Sequence, residues 1–276
     1  MLNCSEMMVP SGSGEIPCIR FGTGEKNMVL IPGLRTSSIK GQGLFAAWYF
    51  RMFAKDYTVY MLDRRTDLSG GCTIHDLAEE TYAAARKLGL DSFDLYGVSM
   101  GGMIAADLAV SHPDAVRKLV LGVTALRTND TILEAVGSWI SDIRNNDVRH
   151  FVLDYMKRGY SERYLKQYRI FLPLAARLIK VKDPDQFLIQ AEACLTCDIY
   201  DRLHEIRCPV LVLGAAKDRV VSGEASLEMI RKLGCESYIY PDLSHEAYNE
   251  AKDFNKRVFA FLKKDLPEQR KISCDV

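Results

Sequence analysis

One serine in this chain has the surroundings of a nucleophile. Residues 97–101 read Gly-Val-Ser-Met-Gly, between a short apolar run at 92–96 and a helix-patterned stretch at 102–106. A serine at a sharp turn from strand to helix has a strained backbone, and we expect side chains two positions to either side to collide with it. Glycine at both positions removes that collision. The segment therefore predicts that Ser99 presents its hydroxyl for nucleophilic chemistry.

A serine hydroxyl is a weak nucleophile at neutral pH, so it needs a histidine to accept its proton. The chain has five histidines. His245 alone follows the final strand-like run, in a loop before the C-terminal helix, at the sheet edge where Ser99 is expected. We therefore assign the base to His245. The other four are expected in helix turns or within an insertion between strands; they are at positions 75, 112, 150 and 204.

The histidine in turn needs a carboxylate that fixes its tautomer, on a loop after a strand and between serine and histidine in chain order. Asp218 fits, because the apolar strand at 210–213 ends near Gly214 and the next helix begins around Ser222. Asp242 and Asp130 remain weaker alternatives. Asp242 is very close in sequence to the histidine, and Asp130 follows the preceding strand.

Acyl chemistry also needs two hydrogen-bond donors where negative charge develops on the substrate oxygen. One is expected to be the backbone N–H of Met100, directly after the serine, at the positive end of a helix. The other is expected from the loop at 32–35, where Pro32 has no N–H and Leu34 is the best candidate.

Strands and helices alternate along most of the chain, which predicts a parallel sheet covered by helices on both faces. Strand-like runs are expected at 16–21, 28–31, 58–62, 93–96, 119–123, 210–213 and 237–240. Helical patterns are expected at about 41–54, 73–88, 100–111, 222–233 and 246–264. Residues 22–27 are interpreted as a hairpin turn, because they precede a strand and lack the third glycine of a dinucleotide-binding loop.

Residues 124–207 interrupt the alternation with helical patterns and no convincing strand. An all-helical insertion between two sheet strands is best interpreted as a cap at the carboxyl edge, where such sheets hold ligands. We therefore expect a core domain formed by 1–123 and 208–276, with a helical cap at 124–207.

With these parts in order, the sequence resembles the α/β-hydrolase superfamily, in particular its capped branch of small esterases, enol-lactonases, carbon–carbon bond hydrolases and pimeloyl-carrier-protein methyl esterases. Beyond the turn at 97–101, the resemblance includes residues 101–105, 111–121 and 208–214, and it spans nearly the whole chain. Two segments depart from the pattern of many relatives. Residues 32–33 are Pro-Gly in place of His-Gly, and residues 63–69 lack the glycines of Asp-x-Arg-Gly-x-Gly-x-Ser.

The resemblance implies an α/β-hydrolase fold with a mostly parallel eight-stranded sheet and a helical cap. It also implies that Ser99, Asp218 and His245 form a catalytic triad, with the backbone of Leu34 and Met100 as oxyanion hole and with no cofactor or metal. Serine at position 99 argues against the dehalogenase and epoxide-hydrolase branches, whose nucleophile is an aspartate.

Several other classes are disfavoured. Lysine plus arginine equals aspartate plus glutamate, at 36 each, so the overall charge indicates no nucleic-acid partner. The N-terminal residues show no export signal and no run is long enough for a membrane span, which favours a cytoplasmic protein without a membrane partner. Eight scattered cysteines then indicate reduced thiols. Cys194 and Cys197 are interpreted as packed thiols on one helix face rather than a metal or redox pair.

These features predict a serine hydrolase that cleaves an ester-type bond of a small or medium acyl substrate through an acyl-enzyme. Acyltransferase, thioesterase or carbon–carbon hydrolase activity of the same triad, or ligand binding without catalysis, are the alternatives. Nine Lys/Arg stand against two acidic residues between 149 and 182, and we hypothesise that this basic strip attracts an anionic or carrier-bound substrate. The natural acyl group and the oligomeric state are left open. The nine cations are at 149, 157, 158, 163, 166, 169, 177, 180 and 182.

Overall fold

A computed structural model describes residues 3–12 and 14–265. Eight strands form one sheet in the order β1-β2-β4-β3-β5-β6-β7-β8. The pairs from β3–β4 onward are parallel, and β1–β2 and β2–β4 are antiparallel, as a mostly parallel sheet requires. The strands are β1 (Cys4–Ser11), β2 (Gly14–Phe21), β3 (Lys26–Ile31), β4 (Tyr57–Leu62), β5 (Phe93–Val98), β6 (Val116–Gly122), β7 (Val210–Ala215) and β8 (Glu236–Tyr240).

Helices cover both faces of the sheet. Strands β4, β5 and β7 are buried along their whole length, as expected for a parallel sheet between two layers. The core helices are α1 (Gly43–Tyr49), α2 (Ile74–Lys87), α3 (Met100–Ser111), α9 (Gly223–Leu233), α10 (Ala247–Glu250) and α11 (Phe254–Leu262). Side chains of α2, α3 and α9 belong to one buried cluster, and those of α1, α10 and α11 to a second cluster on the other face.

The segment between β6 and β7 is helical. It comprises α4 (Asp130–Arg144), α5 (Val148–Gly159), α6 (Glu162–Tyr168), α7 (Leu172–Leu178), α8 (Pro184–Leu195) and a 3₁₀ helix (Tyr200–Glu205). Outside the eight strands, the described residues form one isolated bridge, between Arg127 and Asp198. Helix α4 packs against α5 and α8, whereas the 3₁₀ helix contacts α3 and α9 of the core.

Two expectations about the N-terminal part were wrong or incomplete. Residues 22–27 do not form a hairpin, because β4 lies between β2 and β3 and pairs with both. A Cβ at Gly24 would lie 1.9 Å from the carbonyl carbon of Asp56, so glycine at position 24 allows close packing against the chain that enters β4. The hairpin is instead β1–β2, with Ser11 opposite Gly14. Strand β1 was missed, since its residues show no clear apolar alternation.

Two helices are shorter than their sequence patterns indicate. Helix α1 ends at Tyr49 and turns follow it to position 56, so the pattern at 41–54 overestimates the helix. The pattern at 246–264 is split into α10 and α11, because Ala251 adopts an extended conformation (φ −82, ψ 111) between them. Within the part of the chain that the structure describes, no helix is long and apolar enough to cross a bilayer.

Candidate active site

Ser99 lies between β5 and α3 with φ 53 and ψ −127, a conformation that is rare for a residue with a side chain. The flanking glycines are required, although not for the reason expected from the sequence. A Cβ at Gly97 would lie 2.1 Å from the carbonyl oxygen of Gly101, and one at Gly101 would lie 2.1 Å from that of Ile31. The collisions are therefore with neighbouring backbone. Glycine at both positions lets β5, α3 and the end of β3 approach one another closely at the serine.

Backbone hydrogen bonds hold this turn in place. The N–H of Ser99 donates to the carbonyl of Gly122 at 2.9 Å, which ties the turn to the end of β6. The hydroxyl of Thr124 donates to the carbonyl of Ser99 at 2.7 Å, and Thr124 is completely buried. Thr124 was missed from the sequence because nothing but its place after a strand distinguishes it.

His245 lies within hydrogen-bonding distance of both other members of the predicted triad. Its Nε2 is 2.8 Å from the Oγ of Ser99, and its Nδ1 is 2.9 Å from an oxygen of Asp218. Because an ionised carboxylate can only accept, Nδ1 carries the proton and Nε2 is free to accept from the serine hydroxyl. His245 and Asp218 are both buried.

Both oxygens of Asp218 are engaged. The oxygen that does not face His245 accepts from the backbone N–H groups of Val220 and Val221, at 2.8 and 2.9 Å. The two weaker candidates lie elsewhere: Asp242 pairs with Lys217 on the surface, and Asp130 is in the first turn of α4. The structure therefore brings Asp218, and neither alternative, to the histidine.

The environment of His245 favours its charged form. Burial, the largest single effect, opposes the charge, but the charge of Asp218, its hydrogen bond and the charge of Glu246 together outweigh burial. The pKa of His245 is consequently raised above its ordinary value. An imidazole of this kind is well suited to accept a proton and to hold it while a negative charge exists nearby.

The loop that carries His245 is fixed to helix α5. The hydroxyl of Ser244 donates to the carbonyl of Arg158 at 2.6 Å, and the N–H of Glu246 donates to that of Gly159 at 2.7 Å. The buried carboxylate of Glu246 also accepts from the Tyr155 hydroxyl. The position of the histidine therefore depends on contacts with the helical segment, which the sequence did not indicate.

The loop at 32–35 passes close to the serine. A Cβ at Gly33 would lie 3.2 Å from the Cβ of Ser99, so a larger residue would crowd the hydroxyl. Leu34 lines the cavity beside Ser99. Met100 is the first residue of α3, where a helix leaves its N–H groups without partners inside the helix. Leu34 and Met100 thus both belong to segments that lie close to the serine.

Arg64 holds this loop in place through hydrogen bonds. Its guanidinium donates to the carbonyls of Pro32 and Gly33, both at 2.8 Å, and to the side-chain oxygen of Gln190 on α8 at 2.9 Å. Asp63 lies 3.6 Å away and accepts from the N–H of Ile39. Arg64 is buried, and sequence reasoning missed its role although it lies two residues after the end of β4.

A cavity of about 440 Å³ opens beside Ser99 and His245. Its walls are mainly apolar and aromatic, as in most sites for small molecules. Four aromatic residues of the helical segment line it, Trp139, Phe151, Tyr155 and Phe187. The tyrosines at 160, 164 and 168 instead pack against one another in a row.

No group of three or more potential metal-ligating side chains occurs among the residues that the structure describes. Cys194 is buried at the end of α8, and Cys197 is buried two residues beyond the helix, so they do not share a helix face. Burial raises the pKa of Cys194 to about 12. The seven cysteines in the described ranges are all free thiols, and Cys274 lies outside those ranges.

The sheet topology and the strained serine turn define an α/β-hydrolase fold. A solved enol-lactonase from Burkholderia xenovorans superimposes with a TM-score of 0.81 at 20% identity, covering 94% of this chain and all of that one. The model of the family described as serine aminopeptidase, S33, matches residues 73–252, and the chain belongs to this hydrolase family.

Curated relatives are also hydrolases. A putative carbamate hydrolase RutD from Rhizobium rhizogenes is 25% identical over 252 residues, which cover 83% of this chain and 91% of the relative. A 2-hydroxy-6-oxononadienedioate/2-hydroxy-6-oxononatrienedioate hydrolase from Klebsiella pneumoniae is 30% identical over 187 residues, 64% of each chain.

Proposed function

We propose that this protein is a serine hydrolase that cleaves a carboxylic ester-type bond through an acyl-enzyme. The observation that carries the proposal is the continuous contact from Ser99 through His245 to Asp218, at 2.8 and 2.9 Å. Distances of this size allow the histidine to accept the serine proton as the hydroxyl attacks a carbonyl carbon. Asp218 keeps the imidazole in the tautomer that can accept.

The reaction then follows two steps. Attack by the Ser99 oxygen gives a tetrahedral intermediate, His245 returns its proton to the leaving group, and an ester to Ser99 remains. Water, deprotonated by the same histidine, releases the acid and restores the serine. Backbone N–H groups of Leu34 and Met100 stabilise the oxyanion in both steps, a contribution of about 3–4 kcal/mol per donor in related chemistry.

The surroundings of the site suit a small or medium acyl substrate. Apolar and aromatic walls exclude water and favour an apolar group beside the scissile carbonyl. We propose that helices α4–α8 act as a cap, because Trp139, Phe151 and Phe187 from these helices close one side of the cavity. The basic strip extends along this segment, and eight of its nine cations are exposed. We propose that it draws anionic or carrier-bound substrates towards the site.

Carbon–carbon bond hydrolysis is the second candidate, favoured by the 30% identity to the Klebsiella hydrolase. The same serine and histidine could cleave a bond between a carbonyl carbon and an adjacent carbon whose electron pair is stabilised by a further carbonyl. Acyl transfer and thioester cleavage use the same acyl-enzyme and differ in the acceptor or the leaving group. Ligand binding without catalysis is disfavoured by the complete contact chain.

The test is turnover of p-nitrophenyl esters with two to eight acyl carbons, by the natural protein and by Ser99→Ala. Hydrolysis that falls by a factor of about 10³ or more in Ser99→Ala supports the proposal. Equal turnover by both proteins contradicts it. A 2-hydroxy-6-oxodienoate assayed in parallel separates the two candidates, since an ester hydrolase leaves it intact. Labelling of Ser99 by a fluorophosphonate without ester turnover would favour transfer.

A further inference from the structure

The cavity beside Ser99 contains one permanent charge. Of the described residues that line it, Arg35 is the only one that is always ionised, and none is an aspartate or glutamate. His245 is the other titratable group with a charge near neutral pH, and it is engaged by Asp218. A cation on the wall of a mainly apolar cavity is costly unless a ligand or a neighbour compensates it.

The protein itself does not neutralise this cation. The Nε of Arg35 donates to the carbonyl of Ser37 at 3.2 Å, and one terminal nitrogen donates to the side-chain oxygen of Gln42 at 2.7 Å. Both partners are uncharged. Within residues 3–12 and 14–265, no carboxylate forms an ion pair with Arg35, whereas Arg117, for example, has Asp94 in contact.

A second guanidinium increases the positive potential. Arg64 is near enough to Arg35 that their repulsion adds to burial, the larger effect, in lowering the pKa of Arg64. Asp63 offsets one of these two charges, at 3.6 Å from Arg64. The wall at 32–35 therefore retains a single uncompensated positive charge that faces the cavity.

We propose that Arg35 binds a carboxylate on the substrate, so that the natural substrate is an ester-type compound with a free carboxylate a few bonds from the scissile carbonyl. This inference rests on the proposed function. A guanidinium held by Ser37 and Gln42 is pre-oriented, and a carboxylate accepts from its remaining N–H groups with matched geometry. A carboxylate carries the single negative charge that balances Arg35, whereas a phosphate dianion would leave one charge unbalanced among apolar side chains.

Chain connectivity limits the distance between the two ends of such a substrate. Arg35 is two residues from Gly33, so their Cα atoms are at most about 7 Å apart, and the length of the Arg35 side chain adds to that limit. The Cβ position of Gly33 is in turn 3.2 Å from the Cβ of Ser99. The cavity of about 440 Å³ is large enough for a short dicarboxylic half-ester together with its leaving group.

The basic strip and Arg35 act on a substrate at different distances. The strip is exposed and acts on approach, so salt screens it. Arg35 is partly buried on the wall of the cavity and acts after binding. Loss of Arg35 therefore weakens binding of a carboxylate substrate at high salt as well as at low salt, which separates the two effects.

The experiment compares p-nitrophenyl hydrogen glutarate with its neutral isostere, p-nitrophenyl glutaramate, and repeats the comparison with the succinate and adipate pairs. We expect the natural protein to prefer the acid of at least one pair. Arg35→Gln should lower kcat/KM for that acid by about 10- to 100-fold, mainly through KM. It should change kcat/KM for the neutral isostere less than about twofold. Arg35→Lys, which keeps the charge, retains part of the preference.

Arg51→Gln is the matched control, because Arg51 is an exposed arginine near α1 that does not line the cavity. It should leave the preference for the acid intact. Equal losses on acid and amide in Arg35→Gln, or a natural protein that prefers no acid over its amide, would overturn the carboxylate site.

A binding measurement keeps this test separate from the proposed reaction. In Ser99→Ala, calorimetric titration with monomethyl succinate, glutarate and adipate should show binding of at least one, about tenfold or more weaker when Arg35→Gln is added. The dimethyl esters should bind alike with or without Arg35. If none of the monomethyl esters binds, or if Arg35→Gln binds them equally well, the inference is wrong. Failure of the proposed function would appear instead as hydrolysis of the neutral ester, p-nitrophenyl glutaramate, that does not depend on Ser99.

Discussion

The hydroxyl of Tyr155 on α5 donates a hydrogen bond to the carboxylate of Glu246, the residue directly after His245. Tyr248 donates to the same oxygen at 3.0 Å, and Asn249 donates to the other oxygen. A buried carboxylate with this many donors is fixed in place beside the loop that carries the imidazole. The helical segment and the proton-accepting residue are thereby connected through one acidic side chain.

The charge of Glu246 contributes to the raised pKa of His245, which gives a prediction for pH dependence. His245 accepts a proton only when neutral, so activity falls as pH decreases through its pKa. Since that pKa is raised, the acid limb of kcat/KM for a neutral ester should lie above pH 6.5. Glu246→Gln removes a charge that raises the pKa, so the limb should move to lower pH.

Glu250→Gln is the control for this profile. Glu250 accepts from the backbone and hydroxyl of Ser161, and its charge is not among those that shift the pKa of His245. The acid limb of the Glu250→Gln variant should coincide with that of the natural protein. A limb that stays in place or moves to higher pH in Glu246→Gln would show that Glu246 does not act on the histidine in this way.

Arg64 should position the oxyanion loop, because its fork of donors holds the carbonyls of Pro32 and Gly33. Lysine keeps the charge but cannot reproduce the fork. We expect Arg64→Lys to lower kcat by about 10- to 100-fold and the free energy of unfolding by about 1–3 kcal/mol. Arg117→Lys, which weakens a comparable contact with Asp94 and a backbone carbonyl, should lower stability without lowering kcat. Unchanged kcat in Arg64→Lys would remove this role.

Two glycine-to-alanine variants should change stability in opposite directions. A Cβ at Gly101 would lie 2.1 Å from a backbone oxygen, so Gly101→Ala should lower the free energy of unfolding by at least about 2 kcal/mol. Gly137 lies inside α4 with open space around the same position, so Gly137→Ala should raise it by about 0.5–1 kcal/mol. Urea titrations followed by circular dichroism measure both, and a tolerated Gly101→Ala would refute the close packing at the serine turn.

The basic strip should act through long-range attraction. Replacing Arg163 and Lys166 on α6 with glutamate reverses two exposed charges. We expect kcat/KM for an anionic ester to fall by up to about tenfold at low ionic strength, and the difference to shrink in 0.5 M salt, roughly 4 Å of Debye length. Neutral esters serve as the control. An equal loss on neutral esters would mean that the double variant damages the site rather than the approach of the substrate.

The fold could be predicted from the sequence largely because parallel strands are buried on both faces and read as apolar runs. Strands β4, β5 and β7 show this pattern, and the alternation with helices follows from it. Strand β1 lies at the sheet edge with one side half exposed, so its composition carries little signal. The pairing of β4 between β2 and β3 depends on tertiary contacts, which explains the wrong hairpin at 22–27.

The site was predictable where chain order and loop position restrict the possibilities. His245 and Asp218 follow strands at the same sheet edge as Ser99, and the structure brings those three side chains together. Arg64, Thr124 and Glu246 could not be found in this way. Each contacts a backbone group or side chain that is distant in sequence, and nothing in the local sequence indicates such a contact.

We expect Ser99 to become covalently acylated during turnover. Rapid mixing with a p-nitrophenyl ester, acid quenching within milliseconds and mass spectrometry of the intact protein should show one added acyl group. Peptide mapping should place that group on the peptide containing Ser99, and Ser99→Ala should acquire none. Ester hydrolysis at the natural rate with no acyl group on Ser99, or with the group on another residue, would contradict the account.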